Sequence, residues 1–433
     1  MEEIYNLNSN EALCNIFTVS WRIQIDTCVT KDEIHYALQC THSEHPFLRC
    51  KIIKTNPKNP FEMHLVDDKS NEPEFIYEDV IFGELDIKDE YESFVRKVSN
   101  DDTRIKSCCY KILVDMKKNC TVIIGCFNHA CCDALSSMQV AHSLLSYLSN
   151  PPKEFPLSRK WVSVQGEIEI PQDWHNTYYE SVTGDIYSPP TKLHEGDKIE
   201  NTRFQSDIAF LPSNELQTVI NICHQHGCTF QSLLWLSSAI NQMKLFHSEF
   251  PKIFRFQTPA TTINRVHFKH PIQHEDLVCG AAAIYVREEL NSNDLFWTIC
   301  KEIKDKLYKE LENRTQIYDF FKIMDTFDFT KLPGQSLTAC TLGVTCIQQE
   351  YKGIHPFHLD SIHFLAVSRV FPNMGGINIH SFTINDYGCI LNCTYATPAF
   401  LQSEAIQYIE GVKNTILNVC KYQDLSLEEC LKE

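Results

Sequence analysis

Apolar positions along the chain change period from stretch to stretch, and each change marks an element. After Thr30, the residues Ile34, Ala37 and Leu38 fall three and four apart, the spacing of one helix face. Thr30 with Glu33 three residues on forms a capping box at its start. His45-Pro46 stops that helix, and Phe47–Ile53 and Phe61–Val66 read as strands. A helix is expected over Lys88–Val98. Two β-rich runs follow, Cys108–Val114 and Cys120–Phe127, joined by Asp115-Met-Lys-Lys-Asn119, which reads as a hairpin turn. After six intervening residues a helix pattern opens at Ala134 and continues to Leu148. Leu135, Met138, Ala141, Leu144, Leu145 and Leu148 share one face of it.

Residues 149 to about 202 change character. Pro151, Pro152, Pro156, Pro171, Pro189 and Pro190 break a polar, aromatic-dotted stretch with little periodicity. A connection of that length wraps a surface or serves a site. The second half resumes with a strand over Phe204–Leu211, helices over Ser213–Gln225 and Phe230–His247, and strands over Ile253–Ile263 and Val278–Val286. A helix over Asp294–Leu311 follows, then strand-like runs at Thr338–Cys346, Ile362–Ser368, Ile377–Ile384 and Cys389–Tyr395. A last helix runs from a Ser403 N-cap to Val419. Strands and helices mix in both halves, which predicts an α/β or α+β protein of two similar lobes. The expected division is an N-terminal lobe over 1–150, a connection over 151–203 and a C-terminal lobe over 204–433.

Composition narrows the function classes. At 433 residues, with 43% apolar and 22% charged, the chain has the makeup of a globular protein with room for a large core. Its densest apolar runs are strand-length, short of the roughly 18 residues a membrane span requires. The opening MEEIYNLNSN has no basic segment leading into an apolar stretch, so no secretory leader is expected. The closing CLKE is a poor prenylation site, and a cytoplasmic protein is expected. Twenty cysteines would mean a disulfide framework in a small secreted chain. Here Cys14, Cys126, Cys300, Cys346 and Cys420 sit inside apolar patterns and read as small buried hydrophobes, reduced in the cytosol. The net charge of −17 repels phosphate backbones and argues against nucleic acid as a partner.

The candidate chemistry sits at the strand-to-helix junction, Asn128-His129-Ala-Cys131-Cys132-Asp133. A histidine there rides on a loop held by rigid elements, and its unperturbed pKa suits taking a proton from an alcohol or amine. Asp133 stands where a helix N-cap belongs, so it reads either as a cap or as a site residue. His–x₃–Asp alone arises by chance in many chains. Two rivals are weaker. Cys223-His224-Gln-His226-Gly-Cys228 looks metal-like, but four ligands within six residues strain to close a tetrahedron. Cys131 and Cys132 flank the histidine, yet sequence neighbours rarely form a Cys–His nucleophile pair. No phosphate-binding glycine loop is present. No metal is expected.

The stretch Ile123-Ile-Gly-Cys-Phe-Asn-His129-Ala-Cys-Cys-Asp133-Ala resembles the core motif of the HxxxD acyltransferase superfamily. That superfamily joins nonribosomal-peptide condensation domains, alcohol acetyltransferases and plant BAHD acyltransferases. Other pieces agree in order. Glu44-His45-Pro46-Phe47-Leu48-Arg49 resembles the early HPxLR segment, and Thr261-Thr-Ile-Asn-Arg265 the segment whose arginine pairs with the motif aspartate. Ala339-Cys-Thr341-Leu-Gly343 resembles a degenerate SNLG stretch, and Thr383–Tyr395 the closing hairpin before the last helix. There are departures too. Asn128 replaces the first of the two histidines usual in condensation domains, and Ala134 the glycine that commonly follows the aspartate. The BAHD signature DFGWG is absent, Phe371-Pro-Asn-Met-Gly-Gly376 being no good substitute. The alcohol-acetyltransferase or stand-alone condensation-like branch is therefore the nearer one.

The resemblance implies two chloramphenicol-acetyltransferase-like lobes with the active site in a tunnel between them. It implies a metal-free monomer without a bound cofactor, taking acyl-CoA as co-substrate and donor and a small-molecule alcohol or amine as acceptor. His129 is then the general base, Asp133 and Arg265 a structural pair at the site, and Thr341 and Ser368 candidate oxyanion donors. The alternative is a catalytically inactive member of the fold that acts as a small-molecule or protein-binding module. Asn128 and Ala134 favour that alternative, and the intact His129, Asp133 and Arg265 oppose it.

Overall fold

The computed structural model describes residues 4–7, 17–54, 63–67, 72–99, 106–159, 162, 169–174, 203–246, 253–263, 269–270, 272–273, 275–315, 317–318, 345–349, 359–368, 377–384, 388–397 and 400–432. In chain order the elements of the first half are β1 (Ile4–Asn6), β2 (Phe17–Ile25), α1 (Lys31–Glu44), β3 (Cys50–Lys54), β4 (Met63–Asp67), β5 (Phe75–Asp79), α2 (Ile87–Ser99), β6 (Cys108–Asp115), β7 (Cys120–Asn128) and α3 (Ala134–Ser149). Those of the second half are β8 (Arg203–Pro212), α4 (Ser213–Gln225), α5 (Phe230–Phe246), β9 (Ile253–Ile263), β10 (Ala281–Asn291), α6 (Phe296–Asn313), β11 (Thr345–Gln349), β12 (Leu359–Ser368), β13 (Ile377–Ile384), β14 (Gly388–Thr397), α7 (Gln402–Lys421) and α8 (Leu427–Lys432). The fold is mixed α/β in two units. One is drawn from Met1–Glu169, Ile263–Ala281 and Tyr351–Val370, the other from Ile170–Thr262, Ala282–Glu350 and Phe371–Glu433.

The first unit is built on a five-stranded sheet in the order β12-β2-β7-β6-β5. β12 returns from late in the chain because the edge of β2 needs a partner, and it pairs antiparallel from Leu359 against Ile25 to Ser368 against Phe17. β6 and β7 are buried along almost their whole length, since helices cover both faces of the sheet. On one face Trp21 of β2 donates its indole N–H to the Ser137 carbonyl of α3 at 2.8 Å. On the other Ser20 and Tyr91 of α2 share a hydrogen bond of 3.0 Å. The Asp115–Asn119 turn forms as expected, with Asn119 at φ +50° and the Asp115 carboxylate accepting from the Lys117 and Lys118 amides. A second, three-stranded sheet runs β1-β4-β3.

The other unit holds a sheet β11-β13-β14-β8 with α4, α5 and α7 packed near it, and a β9–β10 pair. Its core gathers Leu211, Leu233, Trp235, Phe296, Tyr395 and Val412, among others. Among the described residues no helix is long and apolar enough to cross a membrane.

Three sequence expectations differ in detail. Residues 46–49 form a 3₁₀ turn ahead of β3, opened by Pro46 and closed by the Leu48 amide donating to the His45 carbonyl at 3.1 Å, with Phe47, Leu48 and Arg49 all buried. Arg49 is drawn in by Asp67, which receives its Nε–H at 2.6 Å and an Nη2–H at 2.9 Å. β10 starts at Ala281 and not at Val278, because the backbone of 278–280 is already engaged elsewhere, as described below. The last helix is entered through Leu401, whose amide binds the Glu404 carboxylate at 2.8 Å, so Ser403 lies inside the helix and does not cap it.

Candidate functional site

β7 ends on Asn128, and the turn that follows is shaped by that residue. Its amide donates to the Ser107 carbonyl at 2.7 Å, its side-chain oxygen accepts from the Ala130 amide at 2.9 Å, and its carbonyl accepts from the Cys131 amide at 2.9 Å. An Asn at this point folds the local backbone into a turn without needing any partner elsewhere. His129 stands at the head of that turn and is half-buried, whereas Ala130, Cys131, Cys132 and Asp133 beside it are all buried. In the motif, His129 is the residue that keeps contact with the outside.

Asp133 is 1% exposed and caps α3, accepting the Ser136 amide on Oδ1 at 2.8 Å. It also does more than cap. Oδ2 accepts the Gly280 amide at 3.1 Å, and the Asp133 amide donates to the Val278 carbonyl at 3.0 Å. The Ser136 hydroxyl donates to the Val278 carbonyl at 2.8 Å and lies 2.9 Å from the Val278 amide, which donates to it. The strap 278–280 is thus sewn to the start of α3 on both sides of Cys279. That residue, 1% exposed, places its sulfur 3.5 Å from His129 Nδ1.

Other sequence candidates fall as follows. Arg265 and Thr341 lie outside the described residues. Ser368 ends β12. Val367 pairs with Thr18 and Thr18 with Asn128, so the Ser368 backbone lies at the His129 end of the sheet, two strands and roughly 10 Å across. Cys132 is 1% exposed, and burial pushes its thiol well up with the Asp133 charge adding to it, which is the setting of a packed thiol. The sulfur beside His129 is Cys279, which no sequence neighbour of the histidine suggested. Its only sequence signal was a cysteine next to a glycine at a strand start.

The Cys223–Cys228 segment serves the end of α4. The Cys228 amide donates to the Cys223 carbonyl at 2.7 Å, and Gly227 turns the chain at φ +67°. His226 stacks on Trp297 with ring centroids 4.5 Å apart, and its Nε2 lies 3.3 Å from Gln423 Oε1, while Cys223 and Cys228 are buried. Among the described residues no three His, Cys, Asp or Glu side chains converge in a way that could hold a metal ion. Of the cysteines read as buried hydrophobes, Cys126, Cys300 and Cys420 are buried, Cys14 lies outside the described residues, and Cys346 falls in β11.

By sequence, no family model and no curated protein matches the chain. Solved structures do. The condensation domain from the monacolin K polyketide synthase MokA is similar at a TM-score of 0.70 and 11% identity, over 98% of this chain and 99% of that one. A trichothecene 15-O-acetyltransferase from Fusarium sporotrichioides is similar at 0.72 and 15%, over 96% and 95%. The epimerization domain from the third module of tyrocidine synthetase B is similar at 0.70 and 12%, over 100% and 99%. At such identities the likeness is one of fold, and it extends over nearly the whole of each of these three chains. The chain is thus a two-unit α/β protein whose fold is also that of condensation domains and of an O-acetyltransferase.

Proposed function

We propose that this chain is an acyltransferase that moves an acyl group from a thioester, with acyl-CoA as donor, to the hydroxyl or amine of a small molecule. The carrying observation is His129, a half-buried imidazole at the end of a central strand, in a fold shared with condensation domains and an O-acetyltransferase. In this reading His129 takes the acceptor's proton as the acceptor heteroatom attacks the thioester carbonyl carbon. The C–S bond then breaks and the thiolate leaves, regaining a proton from the imidazolium. General-base help of this kind contributes roughly 10²–10⁴ in rate. The oxyanion formed on the way needs hydrogen-bond donors worth about 3–4 kcal/mol each. Thr341 and Ser368 are proposed for that role, and Arg265 as a further partner of Asp133. The thioester brings its own good leaving group, so neither a metal nor a bound cofactor is required, and the protein works as a cytoplasmic monomer.

The test is direct. Purified protein is incubated with a panel of acyl-CoA thioesters and a small-molecule extract, and new esters and amides are sought by mass spectrometry. Transfer by the wild type and a loss of two or more decades in His129→Ala supports the reading. No product from any thioester, or near-wild-type turnover by folded His129→Ala, refutes it.

A further inference from the structure

We propose that Cys279 is the positioning residue of His129, its sulfur accepting the Nδ1–H so that Nε2 is left unprotonated towards the acceptor. The proposal rests on the reading of His129 as a base and adds a residue to it. An imidazole is a base at one nitrogen only when the proton sits on the other, and the partner of that other nitrogen decides which tautomer is present. Here Nδ1 has Cys279 Sγ at 3.5 Å, within the reach of a hydrogen bond to sulfur. Were the thiol to donate instead, Nε2 would carry the ring proton and have no lone pair left to take the acceptor's.

The sulfur can hold a ring because it is itself held. Residues on both sides of it are tied to the start of α3. The Val278 amide and carbonyl meet the Ser136 hydroxyl at 2.9 and 2.8 Å, and the Gly280 amide meets the Asp133 carboxylate at 3.1 Å. With its side chain 1% exposed, Cys279 has no room to turn away. The motif aspartate then acts on the histidine at one remove: it fixes the strap, the strap places the sulfur, and the sulfur sets the tautomer. Partners 147 and 150 residues from the motif complete it.

The ring nitrogens can be read without any assay of activity. In protein labelled with ¹⁵N-histidine, the His129 signals are assigned by their loss in His129→Gln, and the protonated nitrogen is identified by its shift at pH 8. The wild type is expected to carry its proton on Nδ1. Cys279→Ala, checked by circular dichroism, is expected to move the majority to Nε2 and to lower kcat at least about tenfold with KM within twofold. The known cost of a wrong histidine tautomer reaches about 10⁴ where the lost partner is a buried carboxylate, and a thiol is a weaker partner. Cys279→Ser, which restores an acceptor, is expected to recover most of both effects. A wild-type His129 protonated on Nε2, or a tautomer unmoved in Cys279→Ala, overturns the proposal. So does an acyl mass on Cys279 after incubation with donor alone, because the sulfur would then be a nucleophile. A tautomer that shifts as expected in a protein that transfers no acyl group supports the hydrogen bond and removes the acyltransferase reading, so the two failures are told apart.

Discussion

Replacing Asp133 by Asn and by Ala separates what this side chain does as a cap from what it does as a clamp. The carboxylate accepts two buried amides, Ser136 N–H on Oδ1 and Gly280 N–H on Oδ2. Alanine removes both. Loss of an N-cap costs about 1 kcal/mol, and a buried amide left without an acceptor costs about 1–3 kcal/mol. For these two bonds alone Asp133→Ala is expected to lose about 2–4 kcal/mol, a large share of the roughly 5–15 kcal/mol that holds a domain folded. Asparagine is the sharper probe. It caps helices as well as aspartate does, so its oxygen can stay on the Ser136 amide. Its NH₂ then faces the Gly280 N–H, donor against donor, and that bond is lost at about 1–3 kcal/mol. Flipping the amide keeps the strap and loses the cap, so neither orientation satisfies both. Urea unfolding of the three proteins measures the result. The expected order is wild type, then Asn, then Ala, with Asn at least about 1 kcal/mol below wild type. An Asp133→Asn protein within about 0.5 kcal/mol of wild type, the range of neutral surface changes, would show that the residue is a cap alone and that the strap does not depend on it.

Gly125→Ala places a methyl group 2.7 Å from Trp21 Cζ2 and 2.9 Å from the Phe127 ring, four residues before His129. It is expected to destabilise by about 1–3 kcal/mol in the same unfolding assay. The buried Arg49–Asp67 pair, joined through Nε and Nη2, is expected to lose about 3–5 kcal/mol when either side is truncated. The double mutant should lose less than the sum, and simple additivity would argue that the pair does not act as a unit. His42 is 4% exposed, and burial, with the Arg49 charge behind it, holds its pKa down from 6.5 to about 3. It stays neutral in the folded state where the unfolded chain takes up a proton, so stability is expected to fall as pH drops from about 6.5 towards 3. His42→Phe should flatten that limb of a stability-against-pH curve, and an unchanged slope would remove His42 from the explanation.

Much of this protein can be read from the chain because it is written locally. The capping box of Thr30 and Glu33 closes over three residues, and it is present as expected, with the Thr30 amide 2.8 Å from Glu33 Oε2. The hairpin around Asp115 depends on that residue's bonds to amides two and three positions on. The two apolar runs that became β6 and β7 and the helix face from Leu135 are periodicities of single elements. They bring His129 to a strand-to-helix turn by themselves.

The tertiary structure decided the rest, and for one physical reason. A hydrogen bond to a residue far along the chain leaves no trace in any period of 2 or 3.6. Val278–Gly280 carries the apolar look of a strand start, but its amides and carbonyl are taken by Asp133 and Ser136, about 140 residues away, and the strand begins later, at Ala281. Arg49 would face solvent on an isolated segment, and it is buried because Asp67 of β4 waits for it. The sequence by itself determined which histidine stands at the head of α3. Only the folding of a distant strap onto that helix determined that its other ring nitrogen faces a cysteine. A backbone donor that must be buried takes whichever acceptor the packing brings to it, and packing is a property of the whole fold.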